Sequence, residues 1–224
     1  MNRREDPLAD RIKRIVAGLV AITSLLVLCG CAQPDGERYR VTATVAVNGT
    51  LYSGSSVQNF HCHEGGGIWG SMDVGQCIVA GEAVFVDMKS HGNLFVLFKG
   101  PSGDMTSAVR SMRGARYDGP GSSVPDRWNV PLADMPMLVT FRNPRDPISV
   151  EKVDPANLAQ TFGPGVTLRA LTIEKTRDPI SRGKVYAALP WLKSIGYNQI
   201  DGKSIVSSNE LHNILQKSDF ISRE

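Results

Sequence analysis

From Arg38 to Val47 apolar and polar positions alternate. Tyr39, Val41, Ala43, Val45 and Val47 fall on one side, and Arg38, Arg40, Thr42 and Thr44 on the other. Successive strand residues point to opposite faces, so this pattern predicts a half-buried strand. Asn48-Gly49 follows at once; both residues tolerate positive φ, which predicts a tight hairpin with Thr50 to Val57 as the returning strand. Asn48-Gly49-Thr50 also spells a glycosylation triplet, and is read here as a turn. Ile78 to Met88 predicts a further strand, with Val84 and Val86 opposite Ala83 and Phe85. After the turn Ser90-His91-Gly92-Asn93, Leu94 to Phe98 is continuously apolar, which suits a strand covered on both faces. Residues 37–100 thus predict an antiparallel meander of about four strands.

Helical spacing enters beyond residue 100. Asp104 can cap a helix whose Met105, Ala108, Val109 and Met112 recur at helical intervals, with Gly114 ending it. Residues 118–131, rich in Gly and Pro, predict an exposed loop, and Met137 to Phe141 a strand. Asp154-Pro155 predicts a helix start, with Val153 stapling onto Leu158, Leu158 and Phe162 on one face, and Gly163 as the stop. Val166 to Thr176 returns to alternation, setting Leu168, Ala170 and Thr172 against Leu171 and Ile173. Ala187 to Lys193 contains Pro190 and predicts a bend or short helical turn. Ser207 and Glu210 form a capping-box pattern before Leu211, Ile214 and Leu215, which predicts a C-terminal helix. The expected fold class is α+β and mainly β: antiparallel meander sheets with two or three short helices packed on them. Residues 38–224 are expected to form one β-rich domain, with possible lobes at 38–100 and 135–224.

The first 30 residues follow a different logic. Arg3, Arg4, Arg11, Lys13 and Arg14 precede an apolar run from Ile15 to Leu28 broken only by Gly18, Thr23 and Ser24. At about 1.5 Å per residue the run makes about 21 Å of helix, short of a bilayer core of about 30 Å. A basic segment, a short apolar segment and a small-residue exit predict an export signal. The exit, Leu28-Cys29-Gly30-Cys31, resembles the lipobox of bacterial lipoproteins, with Cys29 standing where Ala or Ser is commoner. That resemblance implies lipidation of Cys31, removal of residues 1–30, and a tether over residues 31–37. Ala32 rather than Asp follows Cys31, the pattern that goes with the outer membrane in Gram-negative lipoproteins.

Charge supports a membrane contact through lipid rather than through basic residues. The chain of 224 residues has 25 Lys+Arg against 22 Asp+Glu, and the leader removes five bases and three acids. What remains is nearly neutral, with no Lys/Arg-rich block, so nucleic acid is not an expected partner. The expected partners are the membrane, through the acyl chains, and an envelope protein or polymer.

Two further cysteines remain, Cys62 and Cys77. In an exported protein such a pair predicts a disulfide. The alternatives are free or reactive thiols and a metal site built from His61, Cys62, His63 and Cys77, which would need a bend because positions 61 and 63 share a strand face that position 62 does not. No other cofactor is expected.

Four segments resemble a family of uncharacterised bacterial exported proteins: Val47 to Val57, Gly81 to Asp87 with Asn93 to Leu97, Val153 to Val166, and Leu189 to Lys193. The resemblance spans most of residues 38–224, and it implies one domain without assigning any residue a role.

Catalytic motifs are sparse. Ser53-Gly54-Ser55-Ser56 lies in an expected strand and lacks the G-x-S-x-G context of a nucleophile elbow. His91 and His212 have no evident nucleophile partner. Asp73, Glu82, Asp87, Asp104 and Asp118 would need folding to bring two together for glycosidase-type chemistry. Glu82 stands out because alternation puts it with Val84 and Val86, or at a sheet margin. Met105, Met112, Met135 and Met137 raise copper handling, although Met105 and Met112 fit core spacing. Trp69, Trp128 and Trp191 are expected either to cover the core or to meet a partner. The expected function is a non-enzymatic, lipid-anchored, periplasm-facing binding or accessory module. An envelope hydrolase whose site forms only on folding, and a periplasmic metal binder, are the alternatives.

Overall fold

The computed structural model describes residues 37–62, 77–100, 126–196 and 198–222. The leader, residues 31–36 of the tether, His63, Trp69, Asp73, Asp118 and the expected helix from Asp104 lie outside the described residues, whereas Glu37 begins the first strand rather than ending a tether. Among the described residues ten strands form two antiparallel sheets. In chain order they are β1 (Glu37–Val47), β2 (Thr50–Cys62), β3 (Cys77–Glu82), β4 (Val84–Asp87), β5 (Asn93–Val96), β6 (Arg127–Asn129), β7 (Leu138–Phe141), β8 (Val150–Val153), β9 (Val166–Lys175) and β10 (Ile221–Ser222). The six-stranded sheet runs β10-β3-β2-β1-β9-β6 and the four-stranded sheet β4-β5-β7-β8. Three single-turn α-helices are present among the described residues: α1 (Ala159–Phe162), α2 (Lys184–Ala188) and α3 (Leu211–Ile214). The molecule is therefore α+β and mainly β.

The Asn48-Gly49 turn forms as expected. Both residues have positive φ, at 49° and 86°, and Val47 pairs with Thr50. The β1 side chains Tyr39, Val41, Ala43 and Val45 are all buried. They share a core with Val84 and Val86 of β4, Leu94 and Val96 of β5, Leu138 of β7 and Val153 of β8. This is the interior between the two sheets. The other face of the four-stranded sheet presents Phe95, Leu97, Met137, Val139, Phe141 and Val150 to a second core. That core is closed by Val185, Leu189, Leu192, Ile200, Leu215 and Phe220, so the chain from α2 to Phe220 forms a third layer. The unbroken apolar run at residues 94–98 is accounted for: its side chains alternate between two cores, and none is exposed.

Four expectations change. The strand expected over residues 78–88 breaks at Ala83, so β3 belongs to one sheet and β4 to the other. The loop expected over 118–131 contains β6, which pairs with β9 at the sheet edge. In β9, register shifts opposite Thr44 and Val45, leaving Arg169 without a partner on β1. This bulge resets the alternation, so Leu168 reaches the same core as Leu171 and Ile173 instead of opposing them. The helices expected from Asp154 and from Ser207 shrink to α1 and α3. Asp154 Oδ1 accepts from Ala156 N in a local turn, and Ser207 N and Ser208 N both donate to Asn213 Oδ1, so neither residue caps a helix. Gly163 does end α1, at φ 93°.

The two sheets come close together at Gly54. A Cβ there would lie 1.9 Å from the Phe85 carbonyl oxygen, which is backbone and cannot rotate away. Gly54→Ala should therefore destabilise the fold by about 3 kcal/mol, read from the urea midpoint. An unchanged midpoint would mean that β2 and β4 do not touch there.

Candidate functional site

The residue expected to carry the anchor, Cys31, lies outside the described residues. The cysteine pair can be located through the backbone. β2 and β3 are in antiparallel register with Cys62 directly opposite Cys77 and His61 opposite Ile78. Directly opposed residues of an antiparallel pair have Cα atoms about 4.5–5.5 Å apart, inside the separation a disulfide spans. Among the described residues no group of three or more His, Cys, Asp or Glu side chains could hold a metal ion.

The other singled-out residues scatter. Ser53 Oγ shares a hydrogen bond with Thr44 Oγ1 at 3.1 Å, and buried Ser56 donates to the Glu82 carbonyl at 2.6 Å. The His91 ring meets the Tyr52 ring edge-on, and His212 is half-buried on α3. Asp87 is clasped by Lys89 at 2.7 Å, and the Lys89 ammonium holds its carboxyl below the ordinary range. Met135 and Met137 enter different cores, on opposite sides of the four-stranded sheet. Trp128 is half-buried edge-on to Tyr39, with centroids 5.6 Å apart. Trp191 packs on Phe141 and donates to the Pro144 carbonyl at 2.9 Å.

Glu82 departs from the sequence expectation in an informative way. It is 1% exposed, and its Oε2 accepts from Val185 N, at the start of α2, at 3.0 Å. Val84 and Val86 enter the core between the sheets, whereas this carboxylate meets the third layer. The break at Ala83 separates the two. Around it the carbonyl of Glu82 accepts from Ser56 Oγ and Gln58 Nε2, Lys184 Nζ donates to the Ser55 carbonyl, and Ser181 pairs with Val57 through two bonds. Together these form a polar seam joining β2 and β3 to residues 181–185.

A second buried carboxylate, Asp219, holds the other end of this layer. It is 3% exposed, and Oδ2 accepts from Gln216 N at 2.8 Å and from Lys99 Nζ at 3.3 Å. Burial pushes its pKa above the ordinary 3.8, against the lowering effect of those two partners. Sequence reasoning did not single out Asp219, because an acid between Ser218 and Phe220 reads as surface charge.

One cleft, of about 480 Å³, opens between the β7–β8 hairpin and α1. Its charged lining is largely self-compensated, since Arg142 pairs with Glu151 at 2.5 Å. Asn93 at its floor is fully engaged with Phe141 N, the Phe141 carbonyl and Thr140. The arrangement can hold a polar ligand, but it presents no nucleophile beside a base.

Asp219 makes stability pH-dependent. Its folded pKa is raised, so the native state holds the proton more tightly than the unfolded chain. Its stabilising contribution is therefore full below about pH 3.8 and declines as pH rises through the raised value. Lys99→Met removes the cation that offsets the ionised form. The substitution should cost about 3 kcal/mol at neutral pH and clearly less at about pH 4, in urea unfolding at the two pH values. An equal cost at both would show that Lys99 acts through packing alone.

No family model matches this chain, and no curated protein or solved structure shows significant similarity to it.

Proposed function

We propose that this chain is a bacterial cell-envelope lipoprotein, anchored through acyl chains on Cys31. Its β-rich domain would serve as a non-enzymatic binding or accessory module facing the periplasm. The observation that carries the reading is Leu28-Cys29-Gly30-Cys31 directly after an apolar run too short to span a bilayer. Ala32 favours the outer membrane, and the nearly neutral remainder leaves attachment to the lipid. The partner in this reading is an envelope protein or polymer.

The same compartment favours a disulfide between Cys62 and Cys77. Their opposed positions across β2 and β3 support it, and the sequence between them, with Gly65, Gly66, Gly67, Gly70 and Gly75, gives the unfolded chain much freedom for a cross-link to remove. Such a cross-link contributes about 3 kcal/mol on the chain-entropy account.

Metabolic labelling with a palmitate analogue tests the anchor. Label should appear on the native chain and vanish in Cys31→Ser; equal labelling of both would overturn the proposal. Intact-mass measurement after thiol blocking without reductant tests the cross-link. Cys62 and Cys77 should resist alkylation until reduced, and finding both alkylated at the outset would refute the pairing.

A further inference from the structure

A second basin, of about 550 Å³, opens between the turn Pro190–Lys193 and the turn Lys217–Asp219. Its charged lining among the described residues consists of Lys193 and Lys217. Ser194, Ser218, Ser222 and Gln216 add neutral hydrogen-bonding groups. Both ammonium groups converge on the Tyr186 ring from separate turns, Lys193 Nζ 5.9 Å and Lys217 Nζ 5.6 Å from its centroid. Lys217 Nζ is also fixed by donating to the Ile195 carbonyl at 3.0 Å. Among the described residues neither lysine meets a carboxylate. The acid closest in sequence, Asp219, is directed inward to Lys99 and Gln216 N. The fold therefore gathers two like charges at one basin and spends the adjacent acid elsewhere.

The face of an aromatic ring offsets part of that repulsion, but a cation pair of this kind is best satisfied by an anion. We infer that the basin binds a phosphate group borne on a small polyol. Phosphate offers three strong acceptor oxygens, enough to bridge both lysines and still meet serine hydroxyls. The basin exceeds what an inorganic ion fills and lies in the size range of small-molecule sites. Ile195 and Ile221 on its wall suit the carbon skeleton of the ligand. The same chemistry comes on a free polyol phosphate and on a phospholipid headgroup. The site deepens the binding-module reading and is independent of Cys31: loss of palmitate labelling would leave it standing, and its own failure would leave the anchor standing.

The test is calorimetric titration of the full chain, held in neutral detergent, with two probes: glycerol phosphate and monomeric dihexanoyl phosphatidylglycerol. Saturable binding at about 1 mM or tighter is expected for at least one probe, weakened about tenfold by Lys193→Gln and further by Lys193→Gln/Lys217→Gln. Lys152→Gln, in the other cleft, should change nothing. Binding of glycerol phosphate assigns the soluble source, and binding of the phosphatidylglycerol probe alone assigns the headgroup. Because Lys217 also secures Ile195, the exposed Lys193→Gln decides the matter if the double variant unfolds. No binding of either probe, or binding indifferent to Lys193→Gln, would overturn the site.

Discussion

The four-stranded sheet is apolar on both faces, and water must be kept from each of them. Leu94, Val96 and Leu138 leave it on one side, and Phe95, Val139 and Phe141 on the other; all are buried. A sheet of this kind is stable only between two covers. The six-stranded sheet is the first cover. The second is the chain from α2 to Phe220, whose single helical turns would not persist alone in water. Their apolar side chains, above all Leu189, Leu192, Leu215 and Phe220, give them a surface on which to form. Phe95 stands at the centre, stacked on Phe85 and edge-on to Phe141 and Phe220.

Apolar contact holds this layer down without fixing its position, because the hydrophobic effect is not directional. The directional ties are polar. Glu82 binds α2 at one end, and Asp219 with the Phe98 N to Asp219 carbonyl bond secures the other. Asn213 closes the loop between them, accepting from Ser207 N and Ser208 N and donating to Asp201. Burying these groups costs desolvation, which their hydrogen bonds offset only in part, since Glu82 Oε1 has no partner among the described residues, while they select one arrangement of the layer.

What the sequence revealed follows from how local each signal is. The β1–β2 hairpin was legible because alternation and a two-residue turn lie within one stretch of chain. The double burial of residues 94–98 was legible because every side chain there is apolar. The break at Ala83 was not, since a strand that changes sheets keeps its alternation across the change. The bulge at Arg169 was missed for the complementary reason: the extra residue alters phase without altering composition. The expected helices at Asp154 and Ser207 contracted because other local bonds took their place: the Asp154 carboxylate accepts from Ala156 N in a turn, and Asn213 Oδ1 accepts from Ser207 N and Ser208 N. Of the candidate site, Cys62 and Cys77 stood out as an even pair in a chain expected to be exported, but their opposition across β2 and β3 was not legible, because register is set by the fold. The Lys193–Tyr186–Lys217 cluster was invisible, because its members come from separate turns joined only in the fold.

The position of β1 has a mechanical consequence. It lies inside the six-stranded sheet, bonded along its length to β2 on one side and β9 on the other. Ladder hydrogen bonds run perpendicular to the strands, so tension applied at Glu37 along the strand axis strains both ladders in shear together rather than peeling bonds singly. A chain tugged from its amino-terminal side would thus yield only when many bonds fail at once.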